Sequence, residues 1–242
     1  MTSKTTAIAR TDRELERFPE FPPRDDMQNW KFLYQNAQTA ALAVHLGNPE
    51  TTIVVSEAPL GPDPRDRDNI RVPDLTVSLD SKPELIDEDG GYSIESQGKP
   101  TDFVLEVASQ SKGQADYTAK RLDYERYGVA EYWRFDPSGG QYHDAALAGD
   151  SLVDGGYQPI EVEWLDEGRC RGYSEVLSLY ICWEDGELRW FNLVNEAYLR
   201  TFTEEIARAE RAEGEREAEA RRQAEAENRR LRERLQALGE TE

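Results

Sequence analysis

The chain has 242 residues, a formal charge of −20, and 38% apolar residues that include five Trp and eleven Tyr. That is enough for one domain of ordinary size with a real core, plus an appendage. The charge has the wrong sign for wrapping a nucleic-acid backbone over a broad surface, although a bound cation or a local basic patch can reverse the field at one site.

Residues 1–24 are polar and close on Pro19, Pro22 and Pro23, which reads as a flexible N-terminal arm. Asp25-Asp26 then offers an N-cap, and Trp30, Leu33, Tyr34, Ala37, Ala41 and Val44 recur at helical spacing up to Gly47. A β-branched run at 51–57 predicts a strand, followed by a turn-rich loop at 61–66. A second strand is expected at 72–79, a loop at 81–99, and a third strand at 102–108. A helix follows at about 113–127, stopped by Gly128. The strand 131–135 ends at Asp136-Pro137. This order predicts a mixed α/β core in which strands 102–108 and 131–135 run parallel, joined by a right-handed crossover.

From 139 to about 191 the pattern changes to short strands and Gly turns, expected as antiparallel decoration of the same sheet or as a small β lobe. The last forty-odd residues are low-complexity Glu, Ala and Arg with i,i+4 charge pairing. From Arg200 onward they hold twelve Glu and ten Arg, so −18 stays with the rest of the chain. An acidic surface of that kind suits a high-salt cytoplasm. Leu231, Leu235 and Leu238 form a short seam, but the same frame places Glu217, Arg221, Ala224 and Asn228 on it. The expectation is a long solvated helix rather than a stable coiled coil, with the seam as a place for a homodimer. The expected organisation is thus an arm at 1–24, a domain at 25–199 (core 25–137, β-rich extension 138–199) and a charged tail at 200–242.

No leader peptide is recognised at the start, and no window approaches the roughly 18 apolar residues of a membrane span. Cys170 and Cys182 have no Cys/His cluster around them and read as two reduced thiols, so a cytoplasmic location is expected.

Two acids carry the chemistry. Asp74 lies in Val72-Pro73-Asp74-Leu75-Thr76-Val77, and Glu106 in Asp102-Phe103-Val104-Leu105-Glu106-Val107. Each interrupts a run that otherwise reads as a buried strand, where an ionised carboxylate is costly unless it is paired or holds a metal. On neighbouring strands they would form an oxygen site for a hard divalent cation such as Mg²⁺ or Mn²⁺. With Lys120 on the next helix, they are the components of a metal-dependent phosphodiesterase. Glu57, at the end of the 51–57 strand, is a candidate further metal ligand. The bland readings are that Asp74 pairs with Arg71, that Lys120 pairs with Asp116, and that Tyr117, Tyr124, Tyr127, Tyr132 and Trp133 are packing residues. His45 and His143 have no visible partner and read as structural or surface residues.

The segments Val72–Val77, Val104-Leu105-Glu106-Val107-Ala108-Ser109, Lys120-Arg121-Leu122-Asp123-Tyr124 and Gly128-Val129-Ala130-Glu131-Tyr132-Trp133-Arg134-Phe135-Asp136-Pro137 resemble the Uma-type restriction endonucleases of the PD-(D/E)XK nuclease superfamily. The resemblance covers roughly residues 25–195 and the tail. It implies a restriction-endonuclease-like mixed central sheet flanked by helices, and DNA as the substrate. It also implies catalytic Asp74 and Glu106 holding Mg²⁺ or Mn²⁺, with the Val107 carbonyl as a further metal ligand. The chain departs from the superfamily pattern at Ala108, where a lysine usually stands. The resemblance implies that Lys120 supplies that ammonium instead. The alternative function is an inactive nuclease fold acting as an interaction or scaffolding protein, which the acidity and Ala108 favour. An enzyme acting on a small phosphorylated substrate is a third reading, with no Gly-rich phosphate loop to support it.

Overall fold

The computed structural model describes residues 38–109 and 114–239. The chain divides into two compact units, one ending at Leu199 and the other starting at Arg200. Among the described residues, the first unit contains two longer α-helices, α1 (Gln38–Leu46) and α4 (Gln114–Tyr127), and two short ones, α2 (Glu84–Asp89) and α3 (Ile94–Gln97). The expected loop at 81–99 therefore contains two helical turns. Each ends on a left-handed glycine, Gly90 and Gly98, and Ser93 caps the second through a bond from the Ser96 amide.

The main sheet contains β1 (Ile53–Val55), β3 (Leu75–Ser78), β5 (Phe103–Val107), β6 (Glu131–Phe135), β7 (Leu147–Val153) and β8 (Gly156–Ile160), in that spatial order. Only β5 and β6 are parallel, and α4 connects them as expected. A small parallel pair, β2 (Leu60–Gly61) with β4 (Tyr92–Ser93), stands apart. The region after 138 is both of the things anticipated for it. Strands β7 and β8 extend the main sheet, while β9 (Val162–Asp166), β10 (Arg169–Ser174), β11 (Leu179–Glu184), β12 (Glu187–Asn192) and β13 (Ala197–Tyr198) form a separate antiparallel sheet. The predicted strand at 51–57 shrinks to three residues, because Glu57 turns into the left-handed region at φ 54°.

Strand alternation divides the interior into two cores. Phe103, Leu105 and Val107 of β5, with Trp133 and Phe135 of β6, pack against Ile181, Leu188 and Trp190 of the second sheet. Val104 and Tyr132, from the other face, pack with Tyr124 and Tyr127 of α4 and with Tyr157. Both faces of β5 are covered, which is why its sequence is almost continuously apolar. Glu106 falls on the α4 side of this alternation. Trp133 sits in a slot between the sheets: a Cβ added at Gly149 or Gly172 would lie 2.8 or 2.7 Å from its ring. Gly128 ends α4 at φ 81°, and a Cβ there would come within 3.1 Å of Pro100, so both conformation and space select glycine.

The second unit is one helix, α5 (Phe202–Gly239). Thr201 opens it with a capping box, its hydroxyl accepting from the Glu204 amide while Glu204 accepts from the Thr201 amide. Ion pairs such as Arg221–Glu225 and Arg222–Glu219 line an exposed surface. This is the long solvated helix that the composition predicts. Leu231 is half exposed, and the side chains of Leu235 and Leu238 lie outside the described residues.

Candidate metal and catalytic site

The antiparallel register of β3 and β5 pairs Leu75 with Leu105 and Thr76 with Val104. Continued by one residue, it sets Asp74 opposite Glu106. Both are buried, at 3% exposure, so neither is an ordinary surface acid. The Val107 amide donates to Asp74 Oδ2 at 2.6 Å, which clamps the first acid to the strand that carries the second. On the other side, the register of β1 with β3 pairs Val55 with Thr76, so its continuation reaches Glu57 beside Asp74. The Glu57 amide donates to the Pro73 carbonyl at 3.1 Å. Its backbone is left-handed there, and it is only partly buried, unlike the other two acids.

Lys120 is the charge nearest to the second acid; the side chain of Asp116, its expected partner, lies outside the described residues. Its ammonium lies 2.8 Å from Glu106 Oε2, and the pair is well buried, with side-chain exposures of 12% and 4%. One helical turn on, Tyr124 donates its hydroxyl to Glu106 Oε1 at 2.7 Å. The i,i+4 spacing puts both residues on one face of α4, and that face lies over Glu106. Tyr124 is thus more than the packing residue it reads as in sequence. Its burial pushes the phenol well above its ordinary pKa, and the charge of Glu106 adds to this. The hydroxyl keeps its proton and acts as a donor.

Arg71 pairs with Asp123 of α4 rather than with Asp74. Next to Glu106 in the parallel register is Arg134, another buried charge. It donates to Asp150 Oδ2 at 2.7 Å, and Arg121 donates to Asp150 Oδ1 at 2.9 Å. This network supports the α4 side of the sheet and was not anticipated; the only sequence sign of it is an arginine inside the apolar run of β6. Tyr132 packs against Tyr124 with ring centroids 5.1 Å apart. Its hydroxyl is buried with no hydrogen-bond partner among the described residues.

The most specific sequence segment, from Gly128 to Pro137, proves largely architectural. Glu131 is buried and accepts from Trp133 Nε1 at 2.9 Å, Ser174 Oγ at 2.5 Å and the Val176 amide at 3.1 Å, so it joins the two sheets. Asp136 accepts from the amides of Ser138, Tyr142 and His143 and organises the loop that follows. That loop makes His143 half-buried rather than a surface residue, and burial lowers its pKa. Cys170 and Cys182 are free and buried, with thiols pushed up to about 11 and about 12 by desolvation.

The donor set fits a hard divalent cation. Asp74 and Glu106 contribute only oxygen, and Mg²⁺ commonly takes one or two carboxylates and completes its shell with waters and substrate phosphate. The described residues contain no group of three or more His, Cys, Asp or Glu poised around one metal position. They also contain no helix long and apolar enough to cross a membrane.

No curated protein matches the chain. Among solved structures it is similar to a "putative nuclease belonging to DUF820" from Anabaena variabilis ATCC 29413, at 14% identity and a TM-score of 0.37, over 57% of this chain and 68% of that one. A family model described as "Uma2: Putative restriction endonuclease" matches residues 33–210, which takes in every described strand, the residues Glu57, Asp74, Glu106 and Lys120, and the first turns of α5. The chain belongs to the Uma2 family.

Proposed function

We propose that this protein is a metal-dependent endonuclease that hydrolyses DNA phosphodiester bonds. Asp74 and Glu106 would hold Mg²⁺ or Mn²⁺, with Glu57 and the Val107 carbonyl as further oxygen donors. Bound there, the ion would supply Lewis-acid polarisation of a phosphoryl oxygen and would acidify water. Lys120 would place its ammonium against the charge that develops on the phosphate. The membership of the Uma2 family supports this reading.

The observation that carries it is the 2.8 Å contact of Lys120 with Glu106. The superfamily pattern that the sequence resembles calls for an ammonium beside the second acid, and Ala108 cannot provide it. A lysine from the following helix reaches the same carboxylate. Tyr124 joins Lys120 on the same carboxylate, and Asp74 is clamped to the strand that carries it.

The test is cleavage of supercoiled plasmid with Mg²⁺ or Mn²⁺, at low and high salt, beside the Asp74→Ala/Glu106→Ala double variant. Nicking by the wild type that disappears in the variant is the expected result. A folded wild type that cuts under none of these conditions would favour a scaffolding role, to which the charge of −20 also lends itself.

A further inference from the structure

We propose that Tyr124 is a positioning residue for Glu106: its hydroxyl fixes Oε1 and so turns Oε2 toward the cation side of the site, where Lys120 now lies. This inference rests on the reading of Asp74 and Glu106 as metal ligands.

The geometry separates the two oxygens of one carboxylate. Oε1 takes the Tyr124 hydroxyl at 2.7 Å, and Oε2 takes the Lys120 ammonium at 2.8 Å. A carboxylate held by one oxygen has lost most of its freedom to rotate. Outer partners of this kind orient metal-binding carboxylates and are often worth about 10- to 100-fold in metal affinity. Tyr124 is well suited to the role because it is closely packed. It is fully buried, and its ring lies edge-on to Tyr127 at 6.3 Å and tilted against Tyr132 at 5.1 Å.

Its two neighbours show what packing alone looks like. Tyr127 donates to the Asn69 carbonyl, remote from the acids. Tyr132 buries its hydroxyl without a partner among the described residues. Only Tyr124 of the three aims its oxygen at a site acid. Lys120 has a different part. Its ammonium is the cation that an incoming metal must move aside from Oε2, so its removal should relieve competition rather than disorder the carboxylate.

The experiment is Mn²⁺ titration by calorimetry on the full chain, with thermal melts of every variant. Tyr124→Phe keeps the ring and should weaken Mn²⁺ binding about tenfold or more, while Tyr127→Phe should leave it unchanged. Lys120→Ala should bind Mn²⁺ at least as tightly as the wild type. Affinity of Tyr124→Phe within twofold of the wild type would overturn the inference while leaving the metal site standing. A tenfold loss in Lys120→Ala would also overturn it, since orientation would then come from the lysine; this arm decides the matter if Tyr124→Phe fails to fold. No Mn²⁺ binding by the wild type would overturn the metal site and the inference together.

Discussion

Arg71 Nε donates to Asp123 Oδ2 at 2.7 Å, joining the chain just before Asp74 to the helix that carries Lys120 and Tyr124. The bond spans two elements that approach the site from different directions, so it helps to set the gap across which the lysine meets its acid. Both side chains are largely withdrawn from water, which gives the pair more weight than an exposed one. A double-mutant cycle of Arg71→Ala and Asp123→Ala, read by urea unfolding, should return a coupling between about 0.5 and 3 kcal/mol. Additive losses would mean that the pair does not hold the helix.

The slot around Trp133 predicts a sharp contrast between two glycines of the β7–β8 hairpin. Gly149→Ala must push a methyl group into the indole and should cost about 1–3 kcal/mol through overpacking. Gly156 has open space around it and ordinary φ, so Gly156→Ala should be nearly neutral. Thermal melts of the two variants side by side would check this, and equal losses would refute the slot.

Glu131 is an acid of a different sort from Glu106. Its strand position faces the second sheet, where three donors converge on it. Glu131→Ala strands those donors in the interior and should cost at least about 2 kcal/mol. It should nevertheless leave Mn²⁺ affinity unchanged in the folded fraction. A loss of metal binding greater than the loss of folded protein would move Glu131 into the site.

His143 gives a pH dependence with a definite sign. Burial lowers its folded pKa below the ordinary 6.5, so below that value the unfolded chain binds a proton that the folded chain does not. This histidine therefore withdraws stability as pH falls through about 6.5 and contributes nothing of the kind above it. His143→Asn should lose less stability between pH 7.5 and 5.5 than the wild type does. Identical pH profiles would show that the residue does not titrate differently in the two states.

The two buried acids were legible in the sequence because apolar runs make a charged residue conspicuous. Asp74 and Glu106 stood out for that reason, and the structure sets them opposite each other. The helix of Lys120 and its parallel neighbouring strands were also legible, since a helical run between two buried strands admits few topologies. Tyr124 was not singled out, because an aromatic residue on a helix is expected to pack, and it does so as well as bonding to Glu106. The second sheet was legible only as a change of texture: strand pairing between distant segments is a tertiary property, and short Gly-bounded strands fit either sheet. Arg134 with Asp150 escaped notice because the two residues meet only through pairing of β6 with β7.

The alternation of β5 has a consequence for how the chain tolerates length change. Phe103, Leu105 and Val107 belong to one core, and Val104 and Glu106 to the other side. Sliding this strand by a single position would plunge the carboxylate among the tryptophans and lift leucine and valine toward Lys120. The apolar residues thus act as the ruler by which the charged ones are placed. Insertions in the charged tail should be absorbed without effect, whereas one residue added or lost between Thr101 and Val107 should abolish folding and the site in the same stroke.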